Sequence, residues 1–162
     1  MGTRIGVTEE AAMYTTLLWA TDGSPECDHS LETALALLEP HGHLIAYHCD
    51  QRLLGHGPGS APVLADELER QRHLVAQVES LRACGIDAHL RVESTVDSPP
   101  TEIAAAATEA GADAIVCGTR ALHGLRALVS ESVAARLLRA ATVPVIVVPQ
   151  DEREVNRTEE VT

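Results

Sequence analysis

Three groups of residues in this chain of 162 carry side chains able to do chemistry. The first is Asp22-Gly23-Ser24, which closes an apolar run and joins a carboxylate, a turn-forming glycine and a hydroxyl. The second runs from Gly118 to Ser132, between another apolar run and a helical pattern. A glycine-led loop ending at a helix N-terminus can hold phosphate, because free backbone N–H groups and the positive end of the helix dipole face the anion. The third comprises the imidazoles and thiols: eight His and four Cys, at 27, 49, 84 and 117.

The third group carries the weakest signal. His41 and His43 precede the second strand and His48 ends it, so at about 3.3 Å per residue His43 and His48 lie roughly 16 Å apart and cannot share an ion. His48, Cys49 and His56 could meet at one edge, but their spacing matches no structural zinc pattern, so no metal is assigned. The cysteines are scattered without a CxxC and read as reduced, inert thiols. Ser24, Ser130 and Ser132 have no partner that sequence supplies, and no Gly-x-Ser-x-Gly elbow is present, so no catalytic residue is assigned.

The elements that must position these groups alternate β and α. Thr15–Thr21 reads as a strand, followed by a helix with Ser24 as N-cap and Pro25 at its first position, running to about Leu38 and ended by Pro40. Leu44–Cys49 is a second strand, and residues 50–62 are a Gly- and Pro-rich loop. Val63–Ala83 keeps helical spacing through Leu64, Leu68, Val75, Val78 and Leu81, with Gly85 at its end. Ile86–Val92 is a weaker strand, Pro99-Pro100 opens a helix ending at Gly111, and Asp113–Cys117 is a fourth strand. A helix over Val133–Ala141 and a strand over Val143–Val148 complete the pattern. Alternating βα units predict a doubly wound α/β fold, a parallel sheet with helices on both faces. Ligands of such sheets bind at the carboxyl ends of the strands, where the strand order reverses. Asp22 and Gly118 both fall at such ends.

Composition narrows the function. The formal charge is −12, every basic residue is Arg, and there is no Phe, one Trp and two Tyr. An acidic, aromatic-poor surface repels phosphate backbones and anionic lipid and offers no stacking platform, so neither nucleic acid nor membrane is an expected partner. No apolar stretch is long enough to span a bilayer and no signal-peptide core stands at the N-terminus, so a cytoplasmic location is expected. Residues 1–13 and 150–162 read as flexible tails, the latter acidic, around one domain over 14–149.

Three motifs in order are similar to those of one family. Leu17-Leu18-Trp19-Ala20-Thr21-Asp22-Gly23-Ser24 resembles the first strand and Asp-Gly-Ser turn of the universal stress proteins. Gly111–Arg120 resembles that family's fourth strand and the start of its phosphate loop, and Pro144–Val148 its closing strand. The resemblance implies a five-stranded sheet of order 3-2-1-4-5 and a homodimer, formed through the last strand. It also implies nucleotide-site roles for Asp22, Gly118, Thr119, Arg120 and Ser132, with Asp22 at the adenine end. Asp22 reads equally as an acid that organises its own turn, and Arg120 as an exposed Arg paired with a neighbouring acid.

ATP-binding relatives carry a loop of glycine, two residues, glycine, nine residues, glycine, then Ser or Thr. On this chain Gly118 and Ser132 fit, but Ala121 and Glu131 replace the other two glycines. Ala121 adds a Cβ and discourages positive φ. Glu131 brings a carboxylate toward phosphate oxygens, where unit charges about 4 Å apart repel by about 4 kcal/mol at an effective dielectric of about 20. Even about 2.7 kcal/mol is a hundredfold in affinity. The expectation is therefore a non-enzymatic stress-response protein with lost or weakened ATP binding and no cofactor, acting through protein partners or a small ligand. The alternative is a protein that still holds ATP or AMP, with at most weak hydrolysis.

Overall fold

The alternating pattern folds as the sequence dictates. A computed structural model describes residues 14–51, 61–95, 98–118 and 133–149. Along them run β1 (Tyr14–Ala20), a single 3-10 turn (Pro25–Cys27), α1 (Asp28–Leu37), β2 (Leu38–Gln51) and α2 (Ala61–Ala83). They continue with β3 (Asp87–Thr95), α3 (Pro99–Glu109), β4 (Ala114–Gly118), α4 (Val133–Ala140) and β5 (Val145–Val148). The five strands form one sheet of order β3-β2-β1-β4-β5, and every pair is parallel. The order reverses between β1 and β4.

Alternation along the strands divides the core in two. Leu17 and Trp19 pack with Leu31 and Ala34 of α1 and Leu74 and Val78 of α2. Leu18 and Ala20 pack on the opposite face with Ala104 and Ala107 of α3 and Leu137 of α4. Every residue of β4 is buried, as are Leu17 to Ala20 of β1, so the two strands that flank the reversal are the most enclosed. Buried Trp19 needs a partner for its ring N–H and donates to Ser30 Oγ at 2.8 Å; that hydroxyl in turn donates to the Cys27 carbonyl at 2.6 Å. Asp113 locks the start of β4, its carboxylate accepting the Thr15 and Thr16 N–H groups at 3.0 and 2.8 Å.

Three local readings need correction. Ser24 holds the N-cap position with Pro25 following, but of the 3-10 turn rather than of α1, and its hydroxyl caps no backbone N–H and turns to Asp22 instead. Strand β2 begins at Leu38 rather than Leu44, because the chain re-enters the sheet directly after α1. Its pairing slips between Tyr14↔Leu38 and Thr16↔His43, and that irregularity accommodates Pro40, which has no N–H for the ladder. The helix α2 forms as read, but of its spaced apolar set Leu68 and Val75 are 54% and 44% exposed, while Val78 is buried together with Leu74, which that set did not include. The helix closes where expected, with Gly85 N–H bonding to the Arg82 carbonyl and Ile86 N–H to that of Leu81.

Candidate functional site

The carboxyl ends of β1, β2, β4 and β5 share one edge of the sheet, and the turn after β1 organises it. Thr21 continues the strand direction, its N–H donating to the Tyr47 carbonyl at 3.0 Å, and its hydroxyl accepts the Gly23 N–H at 3.1 Å. Gly23 is required twice over. Its φ is +75°, and a Cβ there would stand 2.9 Å from Arg70 Cβ and 3.2 Å from the Arg70 carbonyl oxygen. Helix α2 therefore passes with its backbone directly against the turn.

Asp22 emerges from this turn half-buried. Its Oδ1 accepts the Ser24 N–H at 2.8 Å and the Ser24 hydroxyl at 2.5 Å. Burial pushes its carboxyl pKa up, but hydrogen bonds from Ser24 and Cys27, helped by the nearby Arg70 charge, prevail and hold it below the usual 3.8. The group is thus an ionised acceptor at the carboxyl edge. Cys27 lies beneath it, fully buried, its thiol pushed up to about 12 by burial and then by the Asp22 charge.

His48 completes this corner from β2. It is 3% exposed, with Nδ1 3.0 Å from the Thr21 carbonyl oxygen and Nε2 2.7 Å from Glu67 Oε1 on α2. A carbonyl only accepts, so Nδ1 donates to it, which leaves Nε2 for the contact with the Glu67 carboxylate. Gln71 also donates to Glu67 Oε1, at 2.9 Å. The clasp joins β1, β2 and α2 at the one edge where all three meet.

Gly118 ends β4 as expected, and the structure supplies a packing reason for it. A Cβ there would lie 3.2 Å from His29 Cε1 and 3.5 Å from His29 Nε2. His29, in the first turn of α1, reaches across to place Nε2 3.3 Å from the Val148 carbonyl oxygen of β5. Asp22 and Gly118 thus stand at the ends of neighbouring strands, Ala20 pairing with Cys117. Thr119, Arg120, Ala121, Glu131 and Ser132 lie outside the described residues, as do His56 and both tails.

The thiols do not converge. Cys117 is buried on the α3–α4 face and Cys49 packs partly buried against the same cluster. Burial pushes both up to about 11, with the Glu102 and Glu93 charges adding to the effect at Cys49. All four cysteines are free. Successive strand residues face opposite ways, so Cys49 turns to α3 while His48 is held toward α2, and the two do not form a ligand pair.

Sequence reasoning missed Glu67, Arg70 and His29. Glu67 and Arg70 sit one turn apart on a helix rich in charged residues, indistinguishable by pattern from a solvated face. His29 offered only its place in the first turn after the Asp-Gly-Ser segment.

The sequence profile described as the universal stress protein family matches residues 13–149. Solved structures share the fold. A universal stress family protein from Burkholderia pseudomallei is 26% identical over 85% of this chain and 98% of its own, with a TM-score of 0.59. The universal stress protein of Lactobacillus plantarum is 20% identical over 85% of this chain and 99% of its own, with a TM-score of 0.62. That of Archaeoglobus fulgidus, solved in complex with dAMP, is 24% identical over 84% of this chain and 98% of its own, with a TM-score of 0.55. No curated protein matches the chain.

Proposed function

The chain belongs to the universal stress protein family, and from that premise we propose that it is a non-enzymatic stress-response protein whose ATP binding is lost or strongly weakened. It acts through protein partners or a small ligand. The observation that carries this reading is the pair of replacements at Ala121 and Glu131, within a loop that otherwise keeps Gly118 and Ser132. Backbone approach and charge both work against a triphosphate there. Retention of Gly118 does not weigh against the proposal, because the close approach of His29 requires a small residue whether or not phosphate binds.

A second reading has its own support. Asp22 is ionised, half-buried and placed at the strand-order reversal, where an adenosine or AMP would meet it. The Archaeoglobus fulgidus protein binds a nucleoside monophosphate, which needs less of the phosphate loop than ATP does. Calorimetric titration of the purified chain with ATP, AMP and adenosine separates the two. No binding at millimolar nucleotide, with binding created by Ala121→Gly and Glu131→Gly together, supports the first reading. Saturable ATP binding by the wild type refutes it, and binding of AMP alone supports the second.

The proposal includes a homodimer and a cytoplasmic setting. Val145–Val148 is an apolar edge strand, each residue only partly covered, and such an edge is normally paired or protected. Light scattering at micromolar concentration should give twice the chain mass; a monomer refutes the dimer. No helix among the described residues is long and apolar enough to cross a membrane.

A further inference from the structure

The amino end of the β2–β3 pair carries a cluster far from the nucleotide edge. We propose that His43, Asp87 and His89 form a binding site for a borderline first-row divalent cation of the zinc or copper(II) class. Parallel register builds it. His43 pairs with Asp87 and Ile45 with His89, so the acid lies beside one imidazole while the other follows two residues later on the same face. His43 is the bridge between strands that no reading of either segment alone could supply.

The distances suit the chemistry. His43 Nδ1 is 3.1 Å from Asp87 Oδ2, and His89 Nε2 is 3.3 Å from Asp87 Oδ1. In a tetrahedral site with metal–ligand bonds of about 2.0–2.2 Å, neighbouring ligand atoms stand about 3.3–3.5 Å apart. Each imidazole thus already stands from Asp87 at close to the separation of neighbouring ligands, the two contacts using different oxygens of the one carboxylate, Oδ2 and Oδ1. One donor atom from each residue lies within 4.8 Å of the other two, and the His89 side chain is 58% exposed. The rings are 4.8 Å apart between centroids and inclined at 55°, which keeps both nitrogens turned to one carboxylate.

Two imidazoles and a carboxylate select a borderline cation over calcium or magnesium, which prefer all-oxygen sites. The cluster lies on the edge strand, and the Asp87 side chain is 64% exposed, so water can complete the coordination shell. The protein's formal charge of −12 concentrates cations at its surface. Imidazole ligates through an unprotonated ring nitrogen, so a metal competes with protons for such a site.

The test is calorimetric titration of the full chain, free of any affinity tag, with zinc chloride and separately with copper(II) chloride in a non-coordinating buffer. One equivalent should bind with a micromolar dissociation constant, copper more tightly than zinc. His43→Gln and His89→Gln should each weaken binding by about tenfold or more, while His73→Gln, whose partner is Asp28 between α1 and α2, leaves it unchanged. Circular dichroism of each variant shows that it is folded. In parallel, zinc should shift the ring resonances of His43 and His89 ahead of the other histidines. Absence of a one-to-one site for either metal overturns the proposal. So does wild-type affinity in the His43→Gln/His89→Gln double variant, which would place the binding at other histidines.

Discussion

Asp22→Asn separates the charge of the carboxylate from its shape. The side-chain oxygen that accepts from the Ser24 N–H and hydroxyl, at 2.8 and 2.5 Å, is kept, and only the negative charge goes. Hydrogen bonds to a charged acceptor net about 1.5–3 kcal/mol and neutral ones about 0.5–1.5, so two such bonds lose about 2 kcal/mol together. The neutral amide regains part of this, because burial of the charge is the largest single influence on Asp22. The expected net cost near neutral pH is about 1 kcal/mol, read from urea unfolding. The pH dependence supplies the stricter check. The folded carboxyl titrates below its unfolded value of 3.8, so its stabilisation is complete above 3.8 and is lost as pH falls through the folded pKa. The variant has no such group, and the stability gap between the two proteins should close below about pH 4. An Asn variant as stable as the wild type at neutral pH, or a gap unchanged into acid, would refute the account of Asp22 as a net-stabilised anion. If the second functional reading holds, the same variant also loses AMP binding.

Further outcomes follow from the same edge. Glu67→Ala strands the Nε2 of His48, which is 3% exposed, and should cost about 1–3 kcal/mol in urea unfolding. Glu67→Gln keeps a partner for that nitrogen and should cost clearly less; equal losses would dismiss the clasp. The Cys27 thiol, raised from 9.0 to about 12, leaves its contribution intact below 9.0 and removes it as pH climbs toward 12. Within that window each pH unit costs about 1.4 kcal/mol per such thiol, so Cys27→Ala should flatten the alkaline decline by that share. Gly118→Ala should destabilise by about 1 kcal/mol by crowding His29, and His29→Ala should relieve most of it in a double-mutant cycle. Additive losses there would rule out the packing role of Gly118.

The sheet was legible because its information is local and periodic. Apolar runs at β1 and β4, helical spacing between them, and Gly85 and Gly111 at helix ends each specify an element without knowledge of the rest. The start of β2 was not legible, because Pro40 normally marks an exit from helix and its place in an irregular strand depends on the partner β1. The site divided in the same way. Asp22 and Gly118 were visible from their places at strand ends, whereas Glu67, Arg70 and His29 arrive from helices whose rotation about their own axes no single segment encodes. The His43–Asp87–His89 cluster is the same case in a sheet: its members are 44 and 46 residues apart from His43, and only β2–β3 register joins them.

The corner formed by Asp22, Ser24, Gly23 and His48 also bears on how family motifs should be weighed. Each retained motif residue in the described part of the site has a partner within the chain that would hold it there without any ligand. Asp22 receives Ser24 and Cys27, Gly23 accommodates the backbone of α2, and Gly118 leaves room for His29. Losing nucleotide binding would relax none of these demands, so the motif can outlast the function it marks in relatives. The replacements carry the opposite weight. Ala121 and Glu131 discard glycine at positions where ATP-binding relatives keep it, and a carboxylate there acts on phosphate in one direction only. The proposal of lost or weakened ATP binding therefore rests on the two replaced glycines and not on the residues that remain.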